Sequence, residues 1–480
     1  MMGDSGDKDT KRFHSVILDE EACKGCTVCV TTCPVEAIRV RDGKARILAE
    51  RCIDCGECIR RCPNRAKMAR ADALAELSGS GEFSRFDWKV ALPAPSLYGQ
   101  FSERFTVEAI HAALLEIGFD AVYPVSRATP AIAATARDLL DRARHPDLPR
   151  PLISSSCPTI VKVIQVRFPT LLGHIAPIIA PMELAGRLAK KEARREHPDK
   201  KNVGCFFISP CAGKITEAKA PIGDESSAID GVFSMKDIHL PLLAALVKTK
   251  KQNEDPRASE APTAELRKAS PDTPVIPTIP SLAREIAWGR AGGEAEATVG
   301  EGEIRWLAVD GMDQCARILE AVEDGKLKSI DLLELMACVG GCVGGPLAVE
   351  NVSLARHSLK NRETDLKSAA PRGETTAKSV VDSRGDSSAS PGETCLRAKP
   401  FPARPALLLD GDYQKALSMM EEMEAISESL PGLDCGCCGA PNCHALAEDI
   451  VRGNASKTDC VIILKEQYRE LLEKESGEES

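Results

Sequence analysis

Positive charge, aromatic side chains and unbroken apolar runs are all in short supply in this chain. Its 71 acidic residues outnumber 62 lysines and arginines, for a formal charge of -9, and a surface built for nucleic-acid phosphates needs the opposite balance. Aromatic residues are sparse as well, so no nucleic-acid partner is expected. The most apolar long stretch, Pro169 to Gly186, is broken by His174, Glu183 and three prolines, which argues against a lipid-spanning helix. The run from Met1 to Phe13 carries acidic residues and no apolar core, so it does not read as a signal peptide. A cytoplasmic location is expected.

What the chain has in excess is cysteine, twenty in 480 residues. Without a secretory segment these read as reduced ligands rather than disulfides. The length exceeds one ordinary domain and implies about three to four folded units.

Cys23-x2-Cys26-x2-Cys29-x3-Cys33-Pro34 recurs 29 residues later as Cys52-x2-Cys55-x2-Cys58-x3-Cys62-Pro63. Eight thiolates in two such runs suit two [4Fe-4S] cubanes, with the fourth cysteine of each run ligating the other cube. That assigns Cys23, Cys26, Cys29 and Cys62 to one cube and Cys52, Cys55, Cys58 and Cys33 to the other. Gly25 and Gly56 admit close backbone approach, leaving N–H groups for cluster sulfur. The chain after Pro34 or Pro63 is expected to start a helix. Zinc also binds CxxC pairs, but two runs of this form fit it poorly. Residues 14–72 resemble a bacterial two-cluster ferredoxin, which implies a small α+β fold and single-electron transfer to a partner or a catalytic domain.

After a short helical linker around Ala69 to Leu77, the pattern alternates between strand and helix. Strand-like segments start at Trp88 and run over Ala121 to Val125, Pro151 to Cys157, Asn202 to Cys211, Ile304 to Val309 and Leu332 to Met336. Helical periodicity marks Thr106 to Ile117, Thr129 to Ala143, the stretch after Pro158, and Asp313 to Val322. This alternation predicts an α/β domain with largely parallel sheets over residues 86–360. Cys157, Cys211 and Cys338 each lie just past the C-terminal end of an expected strand, where open α/β sheets bind ligands. Cys342 arrives with Cys338, and four thiolates make a further cubane. Cys205 and Cys315, on an apolar strand and an apolar helix, read as buried small hydrophobes.

Three motifs in order complete this segment: Ser154-Ser-Ser-Cys157-Pro158; Ser209-Pro-Cys211-Ala-Gly-Lys214-x2-Glu217; and Glu334-Leu-Met336-Ala-Cys338-Val-Gly-Gly-Cys342-Val-Gly-Gly345. On them, Trp88 to Asn351 resembles the catalytic domain of the [FeFe]-hydrogenase large subunit. The resemblance implies that Cys157, Cys211, Cys338 and Cys342 hold an H-cluster, a [4Fe-4S] cube joined to a two-iron unit carrying CO, cyanide and azadithiolate. It makes Cys342 the bridging ligand, gives Lys214 a hydrogen bond to a cyanide, and places Met336 close to the two-iron unit. The implied reaction is reversible 2H+ + 2e- to H2. Its implied partners are H2 and protons, a ferredoxin-like or other redox protein, and cofactor maturation proteins.

The departures bear on turnover. Efficient members of that family carry a proton-relaying cysteine where Ser156 stands, and a hydroxyl, with its far higher pKa, is poorer at donating and reloading a proton. Ser209 replaces a usual methionine, Val339 a usual proline, and Glu183 occupies a region that commonly carries glutamine. These changes resemble the sensory branch of the family. The expectation is a chain that binds an H-cluster and reacts with hydrogen slowly. The alternatives are a non-enzymatic hydrogen or redox sensor acting through a separate signalling partner, and an electron-transfer subunit with cubane clusters only.

Lys248 to Pro280 is polar and proline-containing and reads as an exposed inserted loop. Asn361 to Pro400 reads similarly, giving a flexible linker over residues 361–404 with Cys395 as an incidental thiol. Folded pattern resumes from residue 405, with a methionine-rich helix over Ala416 to Ser427. Cys435, Cys438, Cys443 and Cys460 then follow at spacings of x2, x4 and x16, with a helix from His444 to Val451 and a closing helix from Ile462 to Lys474. This resembles the small four-cysteine [4Fe-4S] domain of bacterial electron-transfer proteins, and implies a third accessory cluster. Cys437 is spare, and ligand exchange with its neighbours stays open, as does structural zinc.

Overall fold

The computed structural model describes residues 13–222, 226–254, 283–299, 304–369, 395–404 and 406–477. The N-terminal repeat runs β1 (Val16–Leu18), α1 (Val28–Thr31), β2 (Ile38–Arg41), β3 (Lys44–Ile47), α2 (Glu57–Arg61) and β4 (Lys67–Ala69). β1 pairs antiparallel with β4, and β2 with β3. The short helices lie inside the cysteine runs, ahead of the fourth cysteine, and not after the prolines as expected. Thr27 and Gly56, both in left-handed backbone, start them. Past Pro34 and Pro63, positive φ at Glu36 and Arg65 turns the chain toward strands instead.

The next segment continues with β5 (Trp88–Pro93), α3 (Val107–Glu116), β6 (Ala121–Val122), α4 (Thr129–Leu140), β7 (Leu152–Ile153), α5 (Pro158–Arg167) and α6 (Pro181–Glu196). β8 (Val203–Ser209), α7 (Ala212–Lys219), β9 (Gly231–Ser234) and α8 (Met235–Glu254) follow. Then come α9 (Ala283–Ile286), α10 (Gly293–Val299), β10 (Trp306–Asp310), α11 (Met312–Glu323), β11 (Leu332–Met336) and α12 (Val352–Ala369). The strands form two all-parallel sheets, in the orders β6-β5-β8-β9 and β10-β11-β7. The α/β class with parallel sheets therefore holds. Several of the few aromatics gather in one core: Phe83, Phe86, Phe119, Phe206 and Phe233 have ring centroids 4.9 to 6.4 Å apart, mostly edge-on or tilted.

Local differences have local causes. The helix expected at Ala69 to Leu77 is a single 3-10 turn, Leu74–Leu77. β7 stops at Ile153 and does not reach Cys157, because Ser154 and Ser155 turn their hydroxyls to Glu294 (2.7 Å) and the Ile178 carbonyl (2.9 Å). α8 carries into the polar stretch as far as Glu254 on good helix formers, and residues 255–282 lie outside the described part. Parts of the expected linker are folded, and residues 370–394 of it lie outside the described part. α12 extends to Ala369, and Cys395 is fully buried, its carbonyl accepting from the Ile179 amide at 2.8 Å.

The chain closes with α13 (Tyr413–Ser429), α14 (Cys443–Val451) and α15 (Val461–Gly477). Asp412 caps α13 and Asn442 caps α14, each side chain accepting a backbone N–H of the first turn. These helices share one compact unit with the N-terminal repeat: residues up to Ala69, Gln165–Pro169 and Ala403 onward form it, and the rest forms a second unit. Among the described residues, no helix is long and apolar enough to cross a membrane.

Candidate metal centres

Three cysteine-lined cavities lie in the first unit. Cys23, Cys26, Cys29 and Cys62 line one, Cys33, Cys52, Cys55 and Cys58 the next, and Cys435, Cys437, Cys438, Cys443 and Cys460 the third. The fourth cysteine of each N-terminal run thus faces the other run's cavity. All three open partly to solvent and are lined by cysteines among apolar side chains. Backbone N–H groups of Ala37 and Ala66 donate to the sulfurs of Cys33 and Cys62 at 3.2 Å. Burial pushes the Cys55 thiol well up and the Cys58 thiol to about 12. Such thiols become thiolates when a bound cation supplies the missing positive charge, and the donor sets fit iron-sulfur cubes. His14 escaped the sequence reading. Its ring lies with Cys52 and Asp54 so that their ligand atoms are within 4.8 Å of one another, and nothing in the cysteine spacing points to it.

In the second unit the four remaining candidate cysteines follow three parallel strands. Cys157 precedes α5, Cys211 is the N-cap of α7, and Cys338 and Cys342 follow β11. Lys214, in the first turn of α7, is buried and donates from Nζ to the Ser156 carbonyl at 2.9 Å. Burial works against its charge, yet Cys342, Glu217, Cys211 and Cys157 outweigh it and hold its pKa above the ordinary value. The same neighbours act on Cys342, whose thiol burial pushes up to about 12 although Lys214 pulls it down. Cys157, Cys211, Cys342 and Lys214 therefore occupy one electrostatic neighbourhood. Cys338 sits in the turn leading to Cys342, its carbonyl accepting from the Gly341 amide at 3.0 Å. Gly341 is obligatory there: its φ is +86°, and a Cβ would lie 2.5 Å from the Ala291 nitrogen and 2.9 Å from the Met336 sulfur.

The substituted residues have visible local partners. Ser209 is buried; its hydroxyl donates to the Cys211 carbonyl at 2.8 Å and accepts from the Cys211 amide at 3.2 Å, fixing that cysteine's backbone. Glu183 accepts from the Ser227 hydroxyl and the Ala228 amide and pairs with Arg187. Val339 is exposed. Cys205 and Cys315 are fully buried, donating weakly to the carbonyls of Gly186 and Met336.

Behind Ser156 lies a carboxylate pair, Glu334 of the third motif and Glu294, which nothing in the sequence singled out. Glu294, at the start of α10, is buried and accepts from the Ser154 hydroxyl at 2.7 Å, while Ser154 accepts from the Ser156 amide at 3.1 Å. Burial drives the Glu294 carboxyl up, and the hydroxyls of Ser154 and Ser156 pull it partly back. Its Oε2 is buried with no hydrogen-bond partner among the described residues. Glu334 is 1% exposed and accepts from the amides of Gly292 (2.9 Å) and Ala295 (2.8 Å). Burial and the neighbouring Glu294 push it to about 8. Two carboxyls so placed cannot both ionise cheaply, so the pair keeps at least one proton at neutral pH.

A family model for the iron only hydrogenase large subunit, C-terminal domain, matches residues 88–346, more than half of the chain. The chain belongs to this hydrogenase family. A 4Fe-4S dicluster model matches residues 15–63 and an Fe-S cluster model residues 430–462. The periplasmic [Fe] hydrogenase large subunit of Nitratidesulfovibrio vulgaris is 26% identical over 370 residues, which cover 70% of this chain and 87% of that one. The NADP-reducing hydrogenase subunit HndD of Solidesulfovibrio fructosivorans is 24% identical over 387 residues, 69% of this chain and 64% of that one. A solved apo variant of the [FeFe]-hydrogenase HydA1 from Chlamydomonas reinhardtii aligns over 69% of this chain and 98% of its own at 17% identity, with a TM-score of 0.46.

For this hydrogenase-family chain, the raised Glu334 carboxyl has a measurable cost. Its folded pKa, about 8, lies above its ordinary 4.5, so the native state binds the extra proton and stability falls as pH rises through that window. Denaturant midpoints should drop as pH rises from about 5 to about 8 and level off above that. Glu334→Gln should flatten that slope, with lower stability at acid pH because its amide NH2 opposes the N–H of Gly292 or Ala295. A wild-type midpoint independent of pH across this range would contradict the buried-proton assignment.

Proposed function

We propose that this chain is an iron-sulfur redox protein of the [FeFe]-hydrogenase type that interconverts 2H+ + 2e- with H2, slowly, and operates in a cytoplasm. The observation that carries the reading is the electrostatic neighbourhood that the half-buried Cys157, Cys211 and Cys342 share with the buried Lys214, past the ends of parallel strands and with Cys338 in the adjoining turn, in a chain of this family. An H-cluster bound there would supply the exchange of two electrons and two protons with hydrogen. The four cysteines would hold it, with Cys342 as the bridging thiolate and Met336 beside the two-iron unit. Lys214 keeps a positive charge beside these cysteines and ties down the backbone of Ser156.

Ser156 stands where a proton must pass, and its hydroxyl neither gains nor loses a proton readily at neutral pH. Its role is to orient, and the Glu294–Glu334 pair behind it stores the proton. Electrons would come through the cysteine-held clusters of the N- and C-terminal segments, supplied or drained by a ferredoxin-like or other redox protein, and maturation proteins would install the two-iron unit. The serine at position 156 also favours a second reading, a hydrogen or redox sensor that passes its state to a separate protein.

Infrared spectroscopy of anaerobic, fully matured protein, with iron quantified, tests the first step. CO and cyanide bands are expected. Their absence after demonstrably competent maturation would reject the two-iron unit and leave an electron carrier with cubes alone. A hydrogen uptake and evolution assay on the same protein then separates slow turnover from fast; rapid turnover would defeat both the slow enzyme and the sensor.

A further inference from the structure

The C-terminal cysteine loop is laid directly on the N-terminal repeat within their common unit. The Val40 amide of β2 donates to the Gly439 carbonyl at 2.8 Å. Gly439 has a φ of +80°, and a Cβ on it would lie 2.1 Å from the Val40 carbonyl oxygen. The two backbones touch because residue 439 has no side chain. Arg39 and Arg41 both reach Asp449 of α14, at 2.7 and 2.6 Å, and Arg41 also donates to the Cys438 carbonyl at 3.0 Å. Arg39 and Asp449 are buried, as are Arg51 and Glu448, which form a second ion pair. Buried, hydrogen-bonded charge pairs hold one geometry, since separating them strands a charge.

Val40 also lines the cavity of Cys23, Cys26, Cys29 and Cys62, while Cys438, next to Gly439, lines the C-terminal cavity. One residue and one hydrogen bond separate the two walls. Electron tunnelling weakens steeply with distance and with gaps in the bonded path, and this path has a single hydrogen-bonded step. We infer that the C-terminal cluster is the fixed redox neighbour of the cluster held by Cys23, Cys26, Cys29 and Cys62, and that the two exchange single electrons across the Val40–Gly439 contact. One cube is oxidised as the other is reduced, and no bond is made or broken. The inference concerns the accessory clusters alone and stands whether or not a two-iron unit is installed.

The test is low-temperature electron paramagnetic resonance of the reduced full-length chain with its clusters in place, compared with a Cys438→Ala/Cys443→Ala variant that lacks the C-terminal cube. In the wild type the N-terminal signals should be broadened and relax several-fold faster than in the variant, through spin coupling to the third cube. A wild-type spectrum equal to the variant's spectrum plus that of an isolated cube overturns the inference. Gly439→Val, which cannot keep the close approach, should lose most of that extra relaxation while retaining its iron. Retained iron with wild-type coupling overturns the role of the Val40 contact. If Gly439→Val sheds the C-terminal iron, the wild-type comparison decides alone.

Discussion

Glu294→Gln should lower hydrogen turnover by about 10²- to 10⁴-fold, the range associated with removing a positioned acid-base group. The carboxyl is buried, its Oε1 takes the Ser154 hydroxyl at 2.7 Å, and Ser154 in turn holds the Ser156 amide. Glutamine keeps that acceptor and the side-chain volume but stores no proton. The infrared bands and iron content of the matured variant should therefore match the wild type, which separates lost proton delivery from lost cofactor. The pH profile carries a second signature, because Glu294 helps raise Glu334. With Glu294 neutral, Glu334 should titrate lower and the stability slope should move toward acid pH. The converse substitution, Ser156→Cys, should raise turnover by supplying a thiol whose pKa is far closer to neutrality. Turnover unchanged in Glu294→Gln would remove the carboxylate pair from the proton route.

The second large effect is expected from Cys342→Ala. This thiol is the strongest electrostatic influence sustaining the buried charge of Lys214, and it is the proposed bridge to the two-iron unit. Its loss should bring hydrogen activity to the level of the blank and abolish the CO and cyanide bands. Iron should fall by between about two and six atoms per chain, depending on whether the cube survives on three thiolates. The magnetic signals of the other clusters should persist, since their cysteines line separate cavities in the other unit. CO and cyanide bands surviving in Cys342→Ala would overturn its role as the bridge.

What could be read from the sequence was what short-range spacing encodes. The crosswise placement of Cys33 and Cys62, each lining the other run's cavity, and the position of Cys157, Cys211 and Cys342 after parallel strands are what local repeats and the rule that parallel sheets bind at their C-terminal edge lead one to expect. The helix positions in the cysteine runs are not, because a left-handed Thr27 leaves no compositional mark. Glu294 was hidden for a different reason. It belongs to Gly-Gly-Glu-Ala-Glu, a run that looks like a solvated helix start, and its burial depends on Ser154, which is 140 residues away. Cys395 looked incidental because the contacts that hold it, the Ile179 amide on its carbonyl and the bridge between Ile178 and Leu396, come from a segment far away in sequence. The cysteine runs at the two ends are local in sequence, whereas the burial of Glu294 and the joints between segments are tertiary.

The Arg39–Asp449 pair joins residues 410 positions apart, and this gives the chain a built-in timer during synthesis. At about 5–20 residues per second, the N-terminal repeat waits roughly 20 to 80 s on the ribosome before Asp449 is made. Throughout that interval Arg39 and Arg41 lack their carboxylate and the Val40 amide lacks its acceptor, leaving an open strand edge of the kind that recruits stray partners. The segment from Gly439 to Asp449 is therefore the cap for Arg39 to Arg41, and a chain released before it is made would carry a cysteine-rich fold with that edge unsealed.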